Sequence, residues 1–118
     1  MRHRVVGKRL GRDCSHRRSL LRNLSDALIM HGSIETTLAK AKYLRPHIEK
    51  LVTKARDDSS FRSVRQVNKK LISKEASKKL FTEVAPKFVG RPGGYTKITR
   101  TRDRDGDKAA MARIEFVA

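Results

Sequence analysis

The chain has 118 residues, of which 29 are Lys or Arg and 12 are Asp or Glu, for a formal net charge of +17. This length suffices for one domain with a modest core. Such an excess of positive charge repels itself in a compact state, and it is typical of proteins whose partner is a polyanion. No apolar run in the sequence approaches the roughly 20 residues that span a bilayer. We therefore predict a cytoplasmic protein with a nucleic-acid partner and no membrane partner.

The first fifteen residues are charged and lack hydrophobic periodicity. Their basic side chains are Arg2, Arg4, Lys8, Arg9 and Arg12. A segment of this composition stays extended until an anionic partner orders it. We predict an extended basic tail over residues 1–15 and a single folded domain over residues 16–118.

The first helix is predicted to begin at His16, because leucine and alanine recur from there at steps of three and four residues. Asp13 or Ser15 is expected to supply its N-cap, and Gly32 its C-terminal stop. The next stretch, "SIETT", is β-branched and predicts a short strand.

The second helix is predicted to start after Thr36 or Thr37, either of which can cap it. Apolar residues keep helical spacing from Leu38 to Ala55. Pro46 lies inside this stretch, and an internal proline kinks or breaks a helix. Because the apolar stripe keeps its phase across the proline, we predict one helix with a local defect.

Two shorter helices are predicted in the following segment. Val64 and Val67 mark the third helix, and Ser73 is placed to cap the fourth, which Pro86 is expected to end. After the loop "GRPGG", the stretches "YTKITRTR" and "AMARIEFV" alternate apolar and polar residues as strands do. The segment between them, "DRDGDK", predicts a hairpin.

The aspartates of that hairpin raise the question of a calcium site. A calcium loop needs a glycine at its sixth position and a bidentate Glu at its twelfth. Counting from Asp103, these positions hold Lys108 and Ile114. We predict no metal site here, and instead a tight turn with Asp105 and Gly106 at its positive-φ positions.

Catalytic and cofactor sites are not indicated. The histidines His3, His16, His31 and His47 have no second ligand at metal-like spacing, and Cys14 has no built base beside it. No nucleotide-binding glycine motif is present. We predict no cofactor, no small-molecule substrate and no catalysis. The rival hypotheses are an RNA-processing enzyme using His16 and the three aspartates, and a free DNA-compacting protein.

The basic residues instead indicate binding to folded RNA. An Arg guanidinium can donate two hydrogen bonds to one phosphate group. Aromatic residues, on which single-stranded bases would stack, are scarce. Three groups are predicted to contact RNA. The N-terminal group comprises Arg2, His3, Arg4, Lys8, Arg9, Arg12, His16, Arg17, Arg18, Arg22 and Asn23. The second group comprises Lys40, Lys42 and Arg45. The third group, after the glycine loop, comprises Arg91, Tyr95, Lys97, Arg100 and Arg102.

Four motifs together make a family resemblance. They follow one another along nearly the whole chain: "MRHR" with "GKRLGRDCSHRRSLLRNL", then "HGSIETTLAKAKYLRPHIEKLVTKA", "GGYTKI" and "GDKAAMARIEFV". In that order they resemble the bacterial ribosomal large-subunit protein seventeen family. The tip "TRDRDGDKAA" departs from the family pattern, in which the hairpin tip is richer in arginine and ends in Gly-Asp-Gly.

The resemblance implies an α+β fold, ordered as helix, strand, three helices and two strands. The expected domain has two layers, with a small mixed sheet in which "SIETT" joins the C-terminal hairpin. The resemblance also implies a structural role in the bacterial large ribosomal subunit. The expected partners are large-subunit ribosomal RNA near the outlet of the peptide tunnel, and neighbouring large-subunit proteins.

Overall fold

The computed structural model describes residues 10–117, so residues 1–9 of the predicted tail lie outside the described residues. The elements in chain order are α1 (Cys14–His31), β1 (Ser33–Thr37), α2 (Leu38–Asp57), α3 (Phe61–Asn68), α4 (Lys74–Lys79), β2 (Thr96–Asp103) and β3 (Ala110–Phe116). The predicted α+β class and the order of helices and strands are confirmed.

Helix α1 begins two residues earlier than predicted, at Cys14. Asp13 is its N-cap, because its carboxylate accepts a hydrogen bond of 2.8 Å from the backbone N–H of His16. Gly32 ends the helix with a φ of 79°, a left-handed conformation that glycine adopts without steric cost. The local signals for this helix therefore acted as the sequence predicts.

Helix α2 runs through Pro46 without interruption, as the phase of its apolar stripe predicts. Its N-cap is Thr37, whose hydroxyl accepts from the N–H of Lys40 at 3.3 Å. Its buried residues are Ala41, Leu44, Ile48, Leu51, Val52 and Ala55. The proline is exposed, on the side of the helix that faces away from this stripe.

The end of the fourth helix differs from the prediction. Its α-helical part covers Lys74–Lys79, capped by Ser73 as expected, and it continues as a π-helical turn (Leu80–Val84) and a 3₁₀ turn (Ala85–Phe88). Pro86 lies inside the 3₁₀ turn and does not end the helical path. Its ring is tolerated there because the first turn of a helix leaves backbone N–H groups without intrahelical partners.

Asp26 joins α1 to the start of α4. Its two carboxylate oxygens accept hydrogen bonds from the backbone N–H groups of Ile72 and Ser73, at 3.1 and 3.0 Å. In return, the Lys79 ammonium donates to the carbonyl of Met30 at 2.9 Å, near the C-terminus of α1. Polar contacts thus fasten both ends of α4 to the C-terminal half of α1.

The sheet is antiparallel throughout, in the order β1–β3–β2, so the predicted mixed sheet is wrong. Strand β3 pairs antiparallel with β1 on one side and with β2 on the other. The hairpin makes β2 and β3 antiparallel, and β1 also runs opposite to β3. The expectation that "SIETT" joins the hairpin in one sheet is confirmed.

The hairpin turn also differs from the prediction. Strands β2 and β3 are joined by residues 104–109, and the positive φ of 56° falls at Lys108 instead of Asp105 or Gly106. The backbone N–H of Lys108 bonds to the carbonyl of Arg104 at 2.7 Å, which closes a wider turn than a two-residue hairpin.

The core lies between the helices and one face of the sheet. Ile34, Ile114 and Ile98 pair across the three strands in one row on this inner face. They pack with the buried stripe of α2 and with Leu28 and Ile29 of α1. This confirms the two-layer arrangement, in which the outer face of the sheet is left uncovered by residues 10–117.

Candidate RNA-binding surface

Helix α1 carries most of the first predicted group that the structure describes. His16, Arg18, Arg22 and Asn23 are exposed, and Arg18 and Arg22 lie one turn apart on the same side. Arg12 and Arg17 are half-buried, because their guanidinium groups donate to the carbonyls of Leu10 and Arg12 at 3.0 and 3.4 Å. Arg2, His3, Arg4, Lys8 and Arg9 lie outside the described residues.

The second group lies in the first turns of α2. Lys42 and Arg45 are exposed and Lys40 is half-buried. Arg45 forms an ion pair with Glu49 at 3.5 Å, and Glu49 also accepts a hydrogen bond from Thr96 at 3.1 Å. Part of the charge of Arg45 is therefore balanced within the protein, whereas Lys42 has no ion-pair partner among residues 10–117.

The sheet register places Arg100 near the start of α2. Arg100 lies opposite Ala112 of β3, which lies opposite Thr36 of β1, and α2 begins two residues after Thr36. Two strand spacings amount to about 10 Å. Arg102 follows on the same strand and reaches across to Glu35, with which it pairs at 3.3 Å. Both arginines thus belong to the same end of the molecule as Lys40.

Tyr95 is not a surface residue, and its predicted RNA contact is wrong. Its side chain is fully buried, packed against Phe88 with ring centroids 5.0 Å apart. Its hydroxyl bonds to Thr53 at 3.0 Å and to the carbonyl of Arg91 at 3.1 Å, and it accepts from Arg56 at 2.6 Å. Tyr95 therefore fastens the glycine loop to the C-terminal part of α2.

Arg91 is consequently held at the far end of α2. The Arg56 guanidinium donates a hydrogen bond to the backbone carbonyl of Arg91. The side chain of Arg91 is exposed. Sixteen residues of helix separate Lys40 from Arg56, a distance of about 24 Å. The third group is thus divided between the two ends of α2, although its members are close in sequence.

Lys97 lies on the outer face of the sheet, directly opposite Glu115 of β3. In the next row of the same face, Arg113 lies between Glu35 and Thr99. Opposite charges on facing residues attract across strands. The outer face of the sheet therefore carries mixed charge, in contrast to the exposed side of the helices.

The hairpin tip neutralises part of its own charge. Arg104 donates two hydrogen bonds to Asp107, at 2.9 and 2.6 Å, and the N–H of Ala109 adds a third at 3.2 Å. These bonds, with those of Arg104 contributing most, lower the pKa of Asp107 to about 2. The aspartate thus serves to shape the turn.

Three lysines outside the predicted groups lie with Lys42 around one surface groove beside α2. Lys50 and Lys54 lie on α2, and Lys70 lies in the connection between α3 and α4. All three are exposed. The spacing of Lys42, Lys50 and Lys54 by eight and four residues indicates a shared helix face, but the position of Lys70 depends on tertiary packing.

Residues 10–117 contain no group of three His, Cys, Asp or Glu side chains arranged to hold a metal ion. Over the same range, no helix has the length and apolar character needed to cross a membrane. What the described surface offers is a set of cationic side chains on α1 and α2.

Comparison with known proteins decides the family. The family model described as "Ribosomal protein L17" matches residues 20–117. The chain belongs to the ribosomal protein L17 family. It is therefore a structural ribosomal component and not an enzyme, and its place is in the ribosome, in the bacterial cytoplasm. The rival hypothesis of an RNA-processing enzyme is thereby excluded.

Individual L17 relatives match over their full length. The large ribosomal subunit protein bL17 of Campylobacter lari is 55% identical over 118 residues, which are 100% of both chains. That of Sulfurimonas denitrificans is 56% identical over 99% of this chain and 100% of its own. That of Gemmatimonas aurantiaca is 51% identical over 99% of this chain and 98% of its own.

Proposed function

We propose that this L17 protein binds and clamps folded large-subunit ribosomal RNA near the outlet of the peptide exit tunnel. Its role is structural, and neighbouring large-subunit proteins are its further partners. Family membership and the names of the relatives support the assignment to the large subunit. The tunnel outlet is the location that the motif resemblance implies.

The observation that carries RNA binding is positive charge without internal compensation. Of the predicted contact residues within 10–117, only Arg45 and Arg102 make ion pairs with carboxylates. Exposed cations such as Arg18, Arg22 and Lys42 are free to replace the counterions of phosphates. Because their guanidinium groups are forked, Arg18 and Arg22 suit bidentate contacts with the RNA backbone.

The test compares Arg18→Ala/Arg22→Ala with Lys87→Ala in binding to a large-subunit ribosomal RNA transcript. Lys87 is an exposed cation on the 3₁₀ turn, outside the predicted groups. We expect the double variant to bind several-fold more weakly and to lower the slope of log K against log salt by about one unit per lost phosphate contact. Lys87→Ala should leave the slope unchanged. Equal slopes for all three proteins would contradict the proposal.

Sedimentation of cell extract separates this role from that of a free DNA-compacting protein. The protein should travel with the large subunit at moderate salt. Recovery of most of it in the soluble fraction or on DNA would overturn the proposal.

A further inference from the structure

A groove lies along the side of α2 that faces away from the core stripe. Its volume is about 530 Å³, within the range of pockets that bind small organic groups. Its less exposed lining comes from Leu21 of α1 and from Ala39, Tyr43, His47 and Leu51 of α2. The floor thus combines aliphatic surface with one aromatic ring that is half-buried.

The rim of the groove is cationic. Lys42, Lys50, Lys54 and Lys70 surround it and are exposed. No Asp or Glu within residues 10–117 lines it. Four ammonium groups around an apolar floor repel one another unless an anion lies among them, so the charge complement of this groove is an anionic partner.

Pro46 removes one backbone hydrogen bond of α2 at the same place. A proline has no backbone N–H, so the carbonyl of Lys42 lacks the donor that an α-helix normally provides four residues later. Both residues line the groove. The missing hydrogen bond is a local weakness of α2 at the groove, and the exposed proline ring adds apolar surface to the rim.

His47 keeps the floor uncharged. Burial lowers its pKa most, and the positive charges of Lys70 and, to a smaller extent, Lys50 lower it further, while contact with the backbone of Lys70 opposes part of this shift. Its Nε2 atom is shielded from solvent and has no hydrogen-bond partner within residues 10–117. At neutral pH the imidazole is neutral, which suits contact with an apolar face.

We propose that this groove receives an unstacked base of the ribosomal RNA, with the base against Tyr43 and the adjoining phosphates among the four lysines. The inference rests on the proposed function and adds a stacking contact to it. An aromatic ring beside cations is the combination that binds a base and its backbone together. A protein neighbour would need carboxylates placed at each of the four lysines, whereas the phosphates that adjoin any RNA base supply anions at regular spacing.

The experiment measures binding of the full-length protein to a large-subunit ribosomal RNA transcript. Tyr43→Leu removes the ring and keeps apolar volume, whereas Tyr43→Phe keeps the ring. We expect Tyr43→Leu to weaken binding about tenfold, the size of one base–aromatic stack, without changing the salt slope. Tyr43→Phe should bind within twofold of the unmodified protein. Urea unfolding of each variant checks that it is folded.

A cross-linking measurement on the unmodified protein does not depend on the folding of a variant. Irradiation of its complex with RNA containing 4-thiouridine, followed by mass spectrometry, should find nucleotide adducts on the peptide that contains Tyr43. Absence of such adducts, while peptides of α1 are cross-linked, would overturn the inference.

The RNA-binding results of these variants distinguish failure of the groove contact from failure of the proposed function. If Arg18→Ala/Arg22→Ala weakens RNA binding and Tyr43→Leu does not, the groove contact is wrong and RNA binding stands. If the unmodified protein shows no salt-dependent RNA binding, the proposed function itself fails. If Tyr43→Leu impairs only incorporation into particles that contain other ribosomal proteins, the occupant is a protein, and the inference is wrong.

Discussion

The hydroxyl of Tyr95 connects the glycine loop to α2, which is about 40 residues away in the chain. It contacts Thr53 and Arg56 on α2 and the carbonyl of Arg91 in the glycine loop. Its ring packs on Phe88, so the same residue contributes to the core and closes the loop over it. This closure decides where the side chain of Arg91 is presented.

We expect Tyr95→Phe to lower the free energy of unfolding by about 1–2 kcal/mol, because the Thr53 hydroxyl, the Arg56 guanidinium and the Arg91 carbonyl each lose a hydrogen-bond partner inside the fold. Urea unfolding followed by circular dichroism measures the change. Tyr43→Phe is the matched control, since the Tyr43 hydroxyl makes no hydrogen bond within residues 10–117. Equal losses in the two variants would show that the Tyr95 hydroxyl network adds no stability.

The environment of His47 predicts that the stability of the domain depends on pH. Burial and the nearby Lys70 lower its pKa in the folded protein, so the unfolded chain takes up the proton more readily. Its contribution is therefore fully present above the unfolded pKa of about 6.5 and is lost as the pH falls below that value.

We expect His47→Gln to reduce the loss of stability between pH 7.5 and pH 5 relative to the unmodified protein. Urea midpoints across this range provide the measurement, and His31→Gln at the exposed end of α1 controls for removal of a histidine as such. Parallel profiles for the unmodified protein and His47→Gln would show that the His47 site does not cause the dependence.

At the level of elements, α2 organises the molecule. One of its sides packs against the sheet and α1, and the other forms the floor and rim of the lysine groove. Thr96 of β2 and the glycine loop are both bonded to its C-terminal half, through Glu49 and Arg56. The helix therefore sets the spacing between cations at its two ends.

Pro46→Ala should stabilise the protein by about 2 kcal/mol. Alanine restores the hydrogen bond to the Lys42 carbonyl and has the higher helix propensity. The unfolded chain of the variant is more flexible, which offsets part of this gain. Urea unfolding measures this gain, with Lys50→Ala as a control at an exposed position of the same helix. A destabilised Pro46→Ala variant would indicate that the proline ring contributes packing that outweighs the missing bond.

At the scale of the whole molecule, charge is distributed unevenly. The outer face of the sheet pairs Lys97 with Glu115 and Arg113 with Glu35, and the hairpin tip pairs Arg104 with Asp107. On the helices, Arg45 and Arg56 of α2 pair with Glu49 and Asp57, whereas Arg18 and Arg22 of α1 and Lys42, Lys50 and Lys54 of α2 are exposed and have no ion-pair partner within residues 10–117. Under the proposed function, the exposed sides of α1 and α2 are therefore the surfaces that we expect to face the RNA.

Removal of residues 1–12 should leave a folded domain that enters large subunits poorly. The core described above lies entirely between residues 14 and 117, and Asp13 remains to cap α1. The lost cations should lower the salt slope of RNA binding, by about one unit for each phosphate contact removed. Circular dichroism and sedimentation of particles measure the two effects. Normal incorporation of a folded truncation would contradict a role for the tail.

Local signals account for the features that were predicted correctly. Asp13, Thr37 and Ser73 cap the helices that follow them, since a cap needs only an N–H three residues away. The α2 stripe likewise depends on spacing within one helix. The positive φ predicted for Gly106 is instead found at Lys108, because the length of the turn depends on how β2 and β3 pair.

The sequence alone determined the order of elements, the excess of positive charge and the family, because these depend on short-range spacing, on composition and on motifs read in order. The tertiary structure decided the antiparallel sheet, the burial of Tyr95 and the approach of Lys70 to the lysines of α2. Each of these joins residues far apart in the chain, and such contacts form only when the apolar faces of several elements are buried together. Whether a basic or aromatic side chain meets solvent or the core is settled by that packing.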